Sequence, residues 1–219
     1  MHASTLKPRK TPRQLRSLAM VDVILQAATR VLERESLAGF TTNRVAEVAG
    51  ISVGSLYQYF PNKDALVAEL ITRDQQARVE AIELLGAGLR GLGLLEAIEA
   101  MAAYAVQQQY GKPLLAAALD HEERRLPVRA LVLESERRIA VTIAAWLEPH
   151  RAQLSGTLPP ETVRDCLTIT KALVEADMER GLKPSANLQA RVVRALVGYL
   201  GIAGTATPSA ARRRTDRAR

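Results

Sequence analysis

One cysteine, Cys166, stands in 219 residues. A lone thiol excludes an internal disulfide framework and fits a reducing compartment, so a cytoplasmic location is expected. Aromatic residues make up 4% of the chain, and runs rich in Val, Ile, Thr and aromatic side chains are sparse. That poverty argues against strands, which such residues favour. No apolar run approaches the roughly 20 residues that cross a bilayer, so no membrane partner is expected. The N-terminus is charged without an apolar stretch behind it, which excludes reading it as a secretory signal. There is no GxSxG, no HExxH and no Cys/His constellation. Hydrolytic or zinc chemistry therefore has no carrier, and neither an enzyme activity nor a cofactor or metal is expected.

What the chain does have is Ala and Leu, strong helix formers, within a hydrophobic fraction of 47%. It also has an excess of positive charge, +7 overall, placed almost entirely at the ends. Residues 1–20 hold Lys7, Arg9, Lys10, Arg13 and Arg16 with no acid, and residues 208–219 hold five arginines against Asp216. The residues between carry a small net negative charge. A near-neutral body with cationic arms suits a polyanionic partner.

The periodicity reads as all-α with about nine helices. From Gln14 an apolar stripe runs through Leu18, Val21, Leu25, Ala28 and Leu32 and ends before Gly39. Thr41 or Thr42 offers an N-cap for a short helix, Ser52 for a third, and Asn62 for a long fourth from Lys63 to about Leu84. Gly50 is placed where a positive-φ turn is needed, and Pro61 stops the third helix. Gly86, Gly88, Gly91 and Gly93 read as a connector. Further helices are expected at about 94–109, 113–123, 127–152, 160–180 and 187–202.

Within this pattern the segment Thr41–Lys63, TTNRVAEVAGISVGSLYQYFPNK, is the informative one. Two short helices meet at Gly50, Ala46 is small where they cross, and Val45, Ala49, Ile51 and Leu56 would seal them against the first helix. This is the layout of a helix-turn-helix, whose second helix enters the major groove. The solvent side of that second helix holds Ser52, Val53, Gly54, Ser55 and Gln58, small or polar residues that allow close approach to base edges. Tyr57 and Tyr59 supply hydroxyl donors within reach of phosphates, and Lys63 can hold another. Residues 21–64 nevertheless carry four basic and five acidic side chains. The +5 of residues 1–20 sits directly before the motif and has two readings: a source of the salt-dependent attraction that the motif itself lacks, or a solvated tail.

These residues resemble the DNA-binding domain of the TetR family of bacterial transcription regulators. The resemblance rests on Ala27-Ala28, Thr41-Thr42, Val45-Ala46, Ala49-Gly50, Ser52, Gly54, Leu56-Tyr57, Tyr59-Phe60 and Lys63, and covers residues 18–78, a little over a quarter of the chain. The family often has His where Tyr59 stands. The resemblance implies that Thr42, Asn43 and Arg44 face the DNA backbone. It implies base-edge contact from Ser52, Val53, Gly54, Ser55 and Gln58, and phosphate clamping by Tyr57, Tyr59 and Lys63. It also implies a homodimer on a palindromic double-stranded operator, released by an unknown small-molecule effector bound to a helical C-terminal domain. The expected organisation is a basic arm at 1–17, a DNA-binding domain at 18–78 with its motif at 41–60, a ligand-binding and dimerisation domain at 79–203, and a basic tail at 204–219.

The C-terminal part carries no specific motif. Met101, Tyr104, His121 and Trp146 are its candidates for a ligand wall, against the plainer reading of core packing. The helices at about 160–180 and 187–202 are the expected dimer pair, through Val163, Leu167, Leu173, Val174, Leu188, Val192, Leu196 and Leu200 with small Ala195 and Gly198. Gly86–Gly91 matches GxGxxG in letters only, since a long helix and not a strand precedes it. Asp120-His121-Glu122-Glu123 lacks metal-ligand spacing. The competing reading keeps DNA binding but drops the switch: an effector-independent architectural or chromosome-organising protein.

Overall fold

The structure, a computed structural model, describes residues 15–154, 159 and 161–202. Most of the arm expected at 1–17 and the whole tail expected at 204–219 lie outside these residues. Nine α-helices follow one another among the described residues: α1 (Leu15–Gly39), α2 (Thr42–Ala49), α3 (Val53–Tyr59), α4 (Lys63–Gly88), α5 (Leu94–Gly111), α6 (Pro113–Arg125), α7 (Arg129–Leu147), α8 (Glu161–Glu179) and α9 (Ala186–Leu200), with a 3₁₀ segment Glu148–Gln153 after α7. The all-α expectation holds.

The short helices begin where side chains can accept the orphaned first-turn amides. Thr41 accepts from the Arg44 amide at 3.1 Å, Ser52 from Ser55 at 3.0 Å, Asn62 from Ala65 at 2.7 Å and Ser185 from Leu188 at 3.2 Å. Gly50 closes α2 at φ 68°, where a side chain would be strained. α1 ends less simply. Ser36 interrupts it at φ 57° and ψ −168°, a region that only glycine occupies without cost.

The buried side chains form two apolar cores. The first gathers α1, α2, α3 and the first half of α4 around Leu32, Val45, Leu56 and Phe60. It also takes in α6 through Leu115, Ala118 and Leu119, and continues to Leu126 and Val128. The second joins α5, α7, α8 and α9 around Ile98, Val106, Leu147, Val174 and Leu188. The long α4 runs from the first core, with Leu66 and Ile71, toward the second, where Ile82 packs. Fully burying a side chain of Leu or Phe size contributes on the order of 1.5–3 kcal/mol, so each core is a sum of many such gains.

Three sequence expectations are corrected. The glycine connector starts later: Gly86 and Gly88 sit within α4, and only Gly91, at φ 87°, and Gly93, the N-cap of α5, serve the turn. α4 therefore outlasts Leu84 by four residues, because Ala, Leu and Gly at 85–88 still satisfy the ladder. The helix expected over 127–152 stops at Leu147 and tightens into the 3₁₀ segment at Pro149, which has no amide to continue the α pattern. The stripe proposed for dimer contact is used inside the chain. Val163, Val174, Leu188, Val192, Leu196 and Leu200 are buried in the second core, and Leu167 and Leu173 pack against it. Periodicity marks an apolar face without saying which neighbour covers it.

Candidate nucleic-acid interface

The reading unit is built from the bottom of the first core outward. Val45, Ala46 and Leu56 are fully buried and hold α2 and α3 together. The Gly50 amide bonds back to the Glu47 carbonyl at 3.1 Å, and the Ile51 amide to Ala46 at 3.0 Å. That double closure sets the angle at which α3 leaves the turn.

On α3, Ser52, Gly54, Tyr57 and Gln58 are exposed, and Ser55 is half-buried. The Ser52 and Ser55 hydroxyls pair at 2.8 Å. Tyr57, 40% exposed, brings its hydroxyl to 3.1 Å from the Thr42 hydroxyl on α2. A long aromatic arm is thereby held by a single hydrogen bond, with its oxygen left at the surface. Val53 and Tyr59 differ from their neighbours. Both are half-buried and pack against the first core, so they support the exposed face more than they form it.

On α2, Asn43 is exposed and Arg44 is held between two carboxylates. Arg44 donates from Nε to Glu35 Oε1 at 2.8 Å, and its Nη1 lies 2.9 Å from Glu47 Oε2. Hydrogen bonds to Glu47 and then Glu35 push its pKa above the ordinary value. The guanidinium uses two of its five N–H groups this way and keeps the rest for another acceptor. At the start of α4, Lys63 Nζ sits 5.2 Å from the centre of the Phe40 ring, a cation–π placement that restrains a flexible cation.

Sequence reasoning missed the residue that anchors this end of α4. Arg125, the last residue of α6, makes a two-pronged bond to Asp64, with Nη1 3.2 Å from Oδ2 and Nη2 on Oδ1, while its Nε donates to Glu122 Oε2 at 2.7 Å. The Arg125 hydrogen bond holds the Asp64 carboxyl below its usual pKa. No local signal marks the pair, because 61 positions separate its members.

The ligand-wall candidates divide. Met101 and Trp146 line a small cavity of about 10 Å³ with Leu85, Gly86 and Ile143, which is room for roughly one water. Trp146 Nε1 is buried without a partner among the described residues, and its ring lies 5.5 Å from that of His150. Tyr104 and His121 do not line that cavity: Tyr104 is half-buried elsewhere and His121 is exposed. A larger cleft of about 470 Å³ opens between α1, α4 and α6, floored by Leu25, Leu70, Leu115 and Leu119 and rimmed by Asp22, Arg73, Asp74 and Lys112. Among the described residues no group of three or more His, Cys, Asp or Glu could hold a metal ion, and no helix is long and apolar enough to cross a membrane.

Residues 24–70, which span this unit, match the family model of bacterial regulatory proteins of the tetR family. This segment is thus similar to the DNA-binding domain of TetR-family regulators. An HTH-type transcriptional repressor, DrrR1 of Streptomyces coeruleorubidus, is 29% identical over 126 residues, which are 55% of this chain and 46% of that protein. The aligned part thus spans about half the length of the repressor. Among solved structures, a TetR-family transcriptional regulator of Mesorhizobium loti superposes with TM-score 0.71 at 18% identity, over 86% of this chain and 98% of its own. The transcriptional regulator FadR of Bacillus subtilis, solved with stearoyl-CoA, superposes with TM-score 0.66 at 18% identity, over 81% of this chain and 98% of that one. At these identities the solved structures speak for the fold alone.

Proposed function

We propose that this chain is a sequence-specific DNA-binding transcriptional regulator, a repressor released from its operator by a small-molecule ligand. The observation that carries the reading is the exposed, small-residue face of α3, fixed by the closed turn at Gly50 and flanked by Tyr57, Arg44 and Lys63. Its short side chains let base edges come close, and the flanking donors suit phosphates. In this reading Ser52, Gly54, Ser55 and Gln58 meet bases. Thr42, Asn43, Arg44, Tyr57 and Lys63 meet the backbone, while Val53 and Tyr59 act from the half-buried side.

A homodimer would present two α3 helices about 34 Å apart to a palindromic operator in the cytoplasm. With six of the eight large stripe residues of α8 and α9 buried in the protomer, a partner on these helices would meet half-buried Leu167 and Leu173 and exposed Ala190, Arg194, Gly198 and Tyr199. The effector would enter the second core beside Met101 and Trp146, where the unpartnered indole N–H supports a ligand carrying an acceptor. A ligand shifts DNA affinity only by its preference for one of two conformers. FadR's complex with stearoyl-CoA supports the ligand-controlled reading over the effector-independent one.

A mobility-shift assay on duplexes enriched from a random library by the full chain tests this. Specific binding at moderate salt is expected, and its absence sinks the proposal. Lys63→Ala should weaken all sites alike and reduce the salt slope by about 1, whereas Ser55→Arg should change which sequences are enriched.

A further inference from the structure

An acid at the DNA-facing end of α4 is out of place on electrostatic grounds. Asp64 follows Lys63 directly and precedes nothing cationic on its own helix turn. Left alone, it would repel the phosphates that Lys63 is placed to hold. A helix N-terminus accommodates an acid, which explains its tolerance there but not its long-range partner. That partner comes from α6, outside the family-matched segment, and grips both carboxylate oxygens.

The grip is itself anchored. Arg125 Nε is tied to Glu122, a carboxylate only 7% exposed on the same helix. Lys112, the residue before α6, pairs with Glu33 of α1 at 2.8 Å, and α6 is bonded to mid-α4 through Gln75–Glu123 at 2.7 Å. Its inner face, Leu115, Ala118 and Leu119, lies in the same apolar core as α2 and α3. The three-residue link Phe60–Asn62 is all that separates the end of α3 from the start of α4. Whatever fixes the first turn of α4 therefore fixes the exit of the recognition helix.

We infer that Arg125 and Asp64 act as one positioning unit for DNA binding: the fork neutralises Asp64 and clamps the start of α4, so that α3 and Lys63 are presented at a set angle. Neither residue is assigned a contact with DNA. The inference rests on the DNA-binding reading proposed above and goes beyond it by placing a determinant of affinity on α6. Bidentate arginine–carboxylate pairs are directional, so the clamp specifies orientation as well as charge.

The test uses the full chain and duplexes enriched from a random library by the wild-type protein. If the wild type enriches no duplex, the DNA-binding reading fails and the clamp is not reached. If it does, Arg125→Met and Asp64→Asn should each lower affinity per binding-competent molecule about tenfold, with the salt slope unchanged, and the double variant should lose no more than either single change. Arg125→Lys, which keeps the charge and loses the fork, should fall between. Hydrogen exchange should rise in α3 and the first turn of α4 while the α8–α9 pair stays protected. Circular dichroism identifies any variant that fails to fold, and Arg125→Lys then carries the comparison. Three results overturn the inference: an affinity gain in Asp64→Asn, as simple repulsion predicts; a salt slope reduced by about 1 in Arg125→Met, which would make Arg125 a phosphate contact; or unchanged affinity in both single variants.

Discussion

The two apolar cores are built to different standards. Of the largest fully buried side chains, Phe40, Phe60, Ile24, Leu32, Leu56, Leu66 and their peers belong to the first core, and Leu188 alone belongs to the second. Around the first core α2, α3 and α4 all start from side-chain caps. Of the later helices, α5 and α7 in the second core and α6 against the first start with none, while α9 starts from Ser185. The second core also contains buried polar atoms without partners among the described residues, Trp146 Nε1 and Tyr110 Oη, and burial pushes the Tyr110 hydroxyl pKa up. An unsatisfied buried donor costs about 1–3 kcal/mol, so these are stored costs that an incoming acceptor would relieve. A tightly packed unit whose α2, α3 and α4 start from caps holds a geometry; a less complete core has room to change. That division suits a rigid reader carried on an adaptable body.

The contrast is broken most forcefully at Phe60. Phe60→Ala should destabilise the protein by roughly 3–5 kcal/mol, because a fully buried ring at the end of α3 leaves a cavity its capped neighbours cannot collapse into. Chemical denaturation would measure it, and a loss below 1 kcal/mol would show that the first core is as yielding as the second. Next in size is Ser36→Gly, which removes a side chain from φ 57° and should stabilise by about 1 kcal/mol, seen as a raised melting temperature. It tests the one backbone strain in an otherwise regular reading unit. The smallest effect belongs to the second core. Trp146→Phe deletes the unpartnered N–H along with some apolar area, and the two should nearly cancel, leaving stability within about 1 kcal/mol of wild type. A large loss would mean that the indole nitrogen is satisfied and the second core is better finished than it looks.

A pH series sharpens the Arg125–Asp64 clamp. Asp64 has a folded pKa below its ordinary 3.8, so its stabilisation is complete above that value and is lost as pH falls through the lower, folded one. Wild type and Asp64→Asn should therefore converge in stability only under strongly acid conditions, and convergence near neutral pH would contradict the depressed pKa.

What could be read in the residues alone was whatever is local. Thr41, Ser52 and Asn62 cap their helices because an oxygen two or three bonds from Cα lies within reach of the amides of its own first turn. Gly50 adopts a positive φ for an equally local reason. The helix-turn-helix was legible because its caps, its turn glycine and its apolar positions all fall within 23 consecutive positions. Leu18 shows the limit: it keeps the period of the α1 stripe yet is 45% exposed, since the neighbour that would cover it is not set by period. Val53 and Tyr59 likewise sit on the surface helix but turn toward the core.

The amino-acid sequence thus determined the helices, their caps and the reading unit, through interactions spanning a few residues. Only the tertiary structure decided that α6 belongs with the reader, that the stripes of α8 and α9 are consumed inside the chain, that Met101 and Trp146 share a cavity, and that Arg125 reaches Asp64. Each of those depends on which apolar faces find one another, and many pairings of similar helices satisfy the same hydrophobic pattern until the whole chain packs.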